Sequence, residues 1–164
     1  SLRNYFAELG VHAKAFDINI TKSWMNIKGE SPTRKHRHSD AHYSFVYYVN
    51  VPEHFADHDI IFHAPDGLGN EGFHGMFSCA TENYNFLNTP IHYFSPVEGK
   101  IVIFPGHVAH EVKGDLECFK QPYFDSVETL KGLRIAIAGD VHLTYSVKAP
   151  RHAGIQPVSN WKSF

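Results

Sequence analysis

Arg34–Val49, RKHRHSDAHYSFVYYV, is the stretch whose reading decides the fold. His36, His38, Asp40 and His42 fall at alternate positions and lead straight into Tyr43–Val49, a run of aromatic and β-branched residues. Residues two apart in an extended chain point to the same side. At least two of these four side chains can therefore converge on one point, which is metal-ligand spacing on a β-scaffold. The plain alternative is a polar lead-in to a strand with solvated histidines, and a lone His-x-His does not decide between the two.

Further short β-like runs lie on either side: Ile18–Ile27, Asp59–His63, Ile91–Phe94, Ile101–Phe104 and Leu133–His142. Turn-forming residues separate them, among them Gly29 with Pro32, Pro52, Pro65 with Gly67, Pro96 with Gly99, and Pro105-Gly106. Regular short strands of this kind predict a mainly β sandwich or barrel of the jelly-roll type. Short helices are expected at Tyr5–Leu9, stopped by Gly10, and at Ser126–Lys131. Ile91–Ser95 and Lys100–Phe104 flank a Pro-Val-Glu-Gly turn and predict a hairpin, whose second strand, apolar on both faces, should be central. Asp66–Asn88, rich in Gly, Asn and aromatics, reads as a loop facing the substrate, and Lys113–Lys131 as a second insertion. At 164 residues the expectation is one domain, with a core over about 18–143 and a C-terminal arm over 144–164.

Composition narrows the partners. A net charge of −2 gives no electrostatic footprint for nucleic acid or an anionic membrane. Cys79 and Cys118 cannot form a disulfide framework, no run approaches a membrane span, and the first residues lack a basic-then-apolar signal pattern. The expectation is a soluble, cytoplasmic protein.

A second histidine pair, His107 and His110, follows the apolar Ile101–Phe104 run and a Pro-Gly turn. A jelly roll brings the ends of sequence-distant strands together, so His-x-His on one and a single His on another can complete a three-ligand facial site with open positions. In Leu133–His142, Arg134 shares a face with Ala136 and Ala138 while Ile135 and Ile137 share the other. An arginine beside two alanines in so apolar a strand is either an exposed strand residue or a guanidinium aimed into a roomy cavity; in the second case it calls for an anion, and its planar fork suits a carboxylate.

The order His-x-His, Val-Tyr-Tyr-Val, Phe-Pro-Gly with His-Glu-Val, then Arg-Ile-Ala-Ile-Ala resembles the Fe(II)- and 2-oxoglutarate-dependent oxygenases, in particular a small group from bacteria and phages. The likeness runs from about Ser23 to His142. It implies a double-stranded β-helix with short peripheral helices, and Fe(II), 2-oxoglutarate and O2 as the reacting partners. The implied activity is a dioxygenase that hydroxylates a substrate with release of succinate and CO2. By position, His110 matches the distal iron-binding histidine and Arg134 the arginine that pairs with the far carboxylate of 2-oxoglutarate. Tyr48 matches a tyrosine that helps bind that carboxylate in prolyl-hydroxylase-like members, and Asn26 a cosubstrate-contacting position.

The chain also departs from that pattern, whose proximal motif is His-x-Asp or His-x-Glu. Here His36 with His38 gives three histidines and no carboxylate, while His38 with Asp40 restores the usual triad. Spacing from Asn26 favours the first. Charge favours the second, because a carboxylate partly neutralises Fe(II) in a low-dielectric pocket. The first is preferred, with Asp40 then a partner that orients a histidine. Two other readings stand beside the oxygenase: a cupin-like metal enzyme that does not use 2-oxoglutarate, and a non-catalytic β-sandwich binding module. Neither the substrate, whether small molecule or protein side chain, nor the oligomeric state can be read from the residues.

Overall fold

Alternating apolar and β-branched residues form eight strands among the described residues: β1 (Phe16–Lys28), β2 (Thr33–His36), β3 (Tyr43–Asn50), β4 (Ile60–His63), β5 (Ile91–Phe94), β6 (Ile101–Pro105), β7 (His110–Val112) and β8 (Arg134–Tyr145). The computed structural model describes residues 1–28, 31–64, 82, 89–114, 126–146, 157–160 and 162. The loop expected at Asp66–Asn88 lies outside the described residues apart from Glu82. So do both cysteines, the middle of the Lys113–Lys131 insertion and most of the C-terminal arm.

The strands form two antiparallel four-stranded sheets, ordered β1-β8-β3-β6 and β2-β7-β4-β5. The chain changes sheet at every step except β4 to β5, which is the strand order of a jelly roll. Among the described residues two α-helices flank the sheets, α1 (Leu2–Glu8) and α2 (Val127–Lys131), each capped by a serine side chain, Ser1 and Ser126. No helix among the described residues is long and apolar enough to cross a membrane.

The expected hairpin is corrected. Ile91–Phe94 pairs with β4 in one sheet, whereas Ile101–Pro105 pairs with β3 in the other, so the Pro96–Gly99 turn carries the chain between sheets. Backbone bonds explain why: Gly99 N–H donates to the Tyr48 carbonyl and Tyr48 N–H to the Lys100 carbonyl, which docks the turn on β3. Nor is β6 central, for it ends the order of its sheet. It is apolar on both faces because each face meets a different cluster. Phe104, with Val102, packs between the sheets against Ile60 and Phe62. Ile103 faces outward and joins the cluster that α1 covers with Leu2 and Phe6.

Register places the inner face of the first sheet in rows. Asn26, Ala136 and Tyr48 lie opposite one another, as do Trp24, Ala138, Val46 and Val102, and Lys22, Asp140, Ser44 and Phe104. Lys28 lies opposite Arg134. In the second sheet one row holds His36, His110, Phe62 and His92.

The loop between β2 and β3 is pinned by the Pro-Gly turn. His38 N–H donates to the Gly106 carbonyl at 2.8 Å and Gly106 N–H to the His42 carbonyl at 3.0 Å. A side chain at Gly106 would meet the Ala41 carbonyl oxygen at 2.4 Å and that of His38 at 2.9 Å, so only glycine permits this approach. Gly106→Ala should cost about 1–3 kcal/mol in an urea titration, as overpacking against backbone does. The loop bearing His38 should shift with it, so divalent-metal affinity measured by calorimetry should fall as well.

Candidate metal centre

His36, at the end of β2, and His110, at the start of β7, are paired residues on adjacent strands, with ring centroids 4.3 Å apart. His38 arrives from the loop that Gly106 holds, and its ring stacks parallel to that of His110 at 5.2 Å and 6°. One potential ligand atom from each of the three lies within 4.8 Å of the others. Trp24 stacks on the outer side of His38 at 5.8 Å, and Phe104 meets His110 edge-on at 4.7 Å.

Each ring is oriented through Nδ1. That of His36 lies 2.8 Å from the Arg34 carbonyl, that of His110 3.0 Å from the Val108 carbonyl, and that of His38 2.8 Å from the Asp140 carboxylate. A carbonyl cannot donate, and an ionised carboxylate only accepts, so all three rings donate from Nδ1 and keep a lone pair on Nε2. Burial pushes the His110 pKa down to about 4 and also lowers that of His38, against which Asp140 pulls upward. These rings are neutral near pH 7, the form that binds metal.

The imidazoles form one end of a cavity of about 130 Å³ between the sheets. Its walls include Val46, Ile60, Phe104, Val112, Ala136 and Ala138, and Asn26, Lys28, Tyr48 and Arg134 also line it. Arg134 is 4% exposed, with its guanidinium over the Tyr48 ring at 5.1 Å. The Tyr48 hydroxyl and Arg134 Nε are buried without a hydrogen-bond partner among the described residues. Burial raises the Tyr48 pKa, and it pushes that of Lys28 down to about 8 with help from the Arg134 charge. A buried guanidinium, an ammonium and an unpaired phenol amount to a site built for an anion. A larger, open concavity of about 410 Å³ on the outer face of the first sheet, between Ile18, Ile20, Tyr47, Ile101 and Ile137, has only apolar lining and no group able to do chemistry.

The structure thus brings His36, His38, His110, Asn26, Tyr48 and Arg134 around one space. Asp40 stays outside it. Its side chain is 69% exposed and ion-paired with Lys22 at 2.9 Å, and the three-histidine group does not include it. The alternation argument fails there because β2 ends at His36 and the chain turns at Ser39 and Asp40. His42 is drawn elsewhere, accepting from Leu143 N–H and packing on His142, and His107 is exposed. Asp140, which holds His38, is the site residue that the sequence reading missed. Its parity was a usable signal, since it continues the 134, 136, 138 face of β8.

The model of the family described as "Putative 2OG-Fe(II) oxygenase" matches residues 22–116, which include all three histidines and stop short of Arg134. No curated protein matches the chain. Among solved structures, the fold resembles an oxidoreductase of the 2OG-Fe(II) oxygenase family from Burkholderia pseudomallei. The TM-score is 0.51 and the identity 14%, over 85% of this chain and 50% of that one. EvdO2 from Micromonospora carbonacea var. aurantiaca, solved in complex with 2-oxoglutarate, gives a TM-score of 0.44 at 12% identity, over 99% of this chain and 64% of that one. The first likeness is one of fold alone, and the second score is too low to bear on the site. The chain spans half the length of the Burkholderia protein.

Calorimetric titration with Mn(II) under anaerobic conditions separates the histidines from Asp40. His38→Ala and His110→Ala should abolish binding. Asp40→Asn should change the affinity by less than about fivefold, the limit for losing an exposed ion pair.

Proposed function

This chain belongs to the 2OG-Fe(II) oxygenase family, and from that premise we propose that it is a dioxygenase that hydroxylates a small molecule or a protein side chain. The net charge of −2 suits either better than a polyanion. The family uses Fe(II), 2-oxoglutarate and O2. The donor set fits them: three converging imidazoles suit a divalent metal, and a buried guanidinium whose Nε has no hydrogen-bond partner, beside the Tyr48 hydroxyl, suits a carboxylate. In the proposed reading Nε2 of His36, His38 and His110 holds the iron. When bound, iron with O2 couples oxidative decarboxylation of 2-oxoglutarate, giving succinate and CO2, to hydroxylation of a substrate C–H bond.

The chain's own contribution is placement and dryness. Arg134 takes the far carboxylate of 2-oxoglutarate through its fork and Tyr48 adds a hydroxyl donor. Asn26, opposite Ala136 in the same row as Tyr48, offers a side-chain amide alongside. Ala136 and Ala138, 4% and 5% exposed, leave room where larger side chains would fill the space. Val46, Ile60, Phe104 and Val112 keep water from the region between the two polar ends. The observation on which the reading rests is that one cavity has imidazoles at one end and a buried guanidinium with an unsatisfied Nε at the other. The cupin-like and binding-module readings give Arg134 Nε and the Tyr48 hydroxyl no hydrogen-bond partner.

Succinate release that requires both Fe(II) and 2-oxoglutarate is the direct test; its absence from metal-loaded protein, together with no 2-oxoglutarate binding, would sink the reading. Arg134→Ala should weaken 2-oxoglutarate binding by at least about 30-fold, the loss expected when one partner of a buried charge pair is removed, and leave metal affinity nearly unchanged. His110→Ala should abolish both.

Lys28, opposite Arg134, predicts a pH dependence. Its ammonium form is lost as pH rises through about 8, so 2-oxoglutarate affinity should fall from about pH 7 to about pH 9.5. Lys28→Met should bind more weakly at neutral pH and show a flat profile over that range.

A further inference from the structure

Three histidines leave a divalent iron without the carboxylate that the usual triad supplies, and the candidate for that role, Asp40, sits in solvent on Lys22. We propose that Asp140 is the carboxylate of this metal centre, acting on the iron through the ring of His38 instead of by direct ligation. The inference rests on the reading above, in which His38 holds the metal.

Asp140 is 0% exposed, in the row that runs Lys22, Asp140, Ser44, Phe104 across the first sheet. One oxygen lies 2.8 Å from His38 Nδ1 and accepts from Ser44 Oγ at 2.8 Å; the other lies 3.0 Å from Lys22 Nζ. A buried carboxylate is strongly disfavoured unless charge and hydrogen bonds compensate it. Lys22 compensates only in part: its side chain is 49% exposed, and Asp40 holds the same ammonium at 2.9 Å. Asp140 therefore sets a buried negative charge against the ring of His38 that the half-exposed Lys22 offsets only in part.

The hydrogen bond couples that charge to the metal. A cation on Nε2 draws electron density from the ring and makes Nδ1–H a stronger donor, so the bond to Asp140 strengthens on metal binding. In return the carboxylate makes Nε2 a better donor to the metal and fixes the ring plane between Trp24 and His110. Asp140 is a positioning residue by this account, because it touches a ligand and not the metal. Of the three candidate ligands, His38 alone has a carboxylate at Nδ1; backbone carbonyls occupy that place on His36 and His110.

The test uses the whole chain and the metal alone, with no cosubstrate. Anaerobic titration with Fe(II) or Mn(II) should give Asp140→Asn an affinity about 10- to 100-fold below the parent, the range for losing such a partner. The visible ligand-field bands of the Co(II)-loaded variant should shift. Ser44→Ala removes the other hydrogen bond to the same oxygen, which leaves that oxygen a stronger acceptor for His38, so its Co(II) bands should move in the direction opposite to those of Asp140→Asn. Lys22→Met makes an opposite and independent prediction. With the compensating ammonium gone, Asp140 acts more strongly on the site, and metal affinity should rise by about two- to fivefold.

Parent-like affinity and parent-like Co(II) bands in a folded Asp140→Asn protein would overturn the proposal. If that variant does not fold, Lys22→Met decides: tighter binding together with shifted Co(II) bands supports the role, whereas parent-like bands, or unchanged or weaker binding, overturn it. Failure of the parent protein to bind metal is a different result and removes the oxygenase reading itself.

Discussion

The site depends on the register of β8. This strand lies between β1 and β3 and pairs with both, so its even-numbered residues from Arg134 to Asp140 face the second sheet. A slip of one residue would turn Arg134 and Asp140 outward and drive Ile135 and Ile137 into the cavity. Gly139 lets the neighbours close in at this point. A side chain there would meet the Phe45 ring at 2.7 Å and the Lys22 carbonyl at 2.9 Å, so β8 could not lie where Asp140 reaches His38. The same strand thus fixes the cationic end of the cavity with Arg134 and the anionic support of the metal end with Asp140.

The two sheets divide the chemistry between them. The second sheet supplies His36 and His110 as paired neighbours, and its β4 adds Ile60 and Phe62 to the core. The first supplies Asn26, Tyr48 and Arg134 at the other end of the same space. Dryness then sets the charge state of each end. Burial holds His38 and His110 neutral, as a metal ligand must be, and it draws Lys28 toward neutrality beside Arg134. Arginine stays protonated under the same pressure because its charge is delocalised and its intrinsic pKa is very high. One apolar enclosure therefore yields neutral donors at one end and a persistent cation at the other, without any change of fold between them.

Much of this was legible in the sequence because it rests on period-two patterns within strands. Strands β1, β3, β4, β5, β6 and β8 lie close to where alternation placed them, and Arg134, Ala136 and Ala138 share a buried face as their spacing predicted. The errors arose where alternation stops. Asp40 follows His38 by two residues, but the chain has left β2 and turned, so parity no longer reports direction. The misread hairpin failed for a tertiary reason: a Pro-Val-Glu-Gly turn flanked by apolar runs has the same local chemistry whether its strands pair with each other or cross between sheets. Four-residue β2 was missed because Thr33–His36 is polar and lies at the edge of its sheet. Asp140 was overlooked although the expected strand ran through it, because the face of Arg134, Ala136 and Ala138 was followed no further.

The way His38 is held explains how a ligand can come from a loop and still be well placed. Its N–H bonds the Gly106 carbonyl, its ring lies between Trp24 and His110, and Nδ1 meets Asp140. Backbone, stacking and charge act on it from three directions, so the loss of strand geometry after His36 does not loosen it. His36 is the reverse case, a strand residue on an edge strand, exposed to solvent and held by the Arg34 carbonyl at Nδ1 and by the rings of His38 and His110. Exposure rises from 4% at His110 through 12% for the His38 side chain to the open His36. Rigidity in the triad thus follows buried partners instead of secondary structure, and solvent reaches the three imidazoles from the β2 edge.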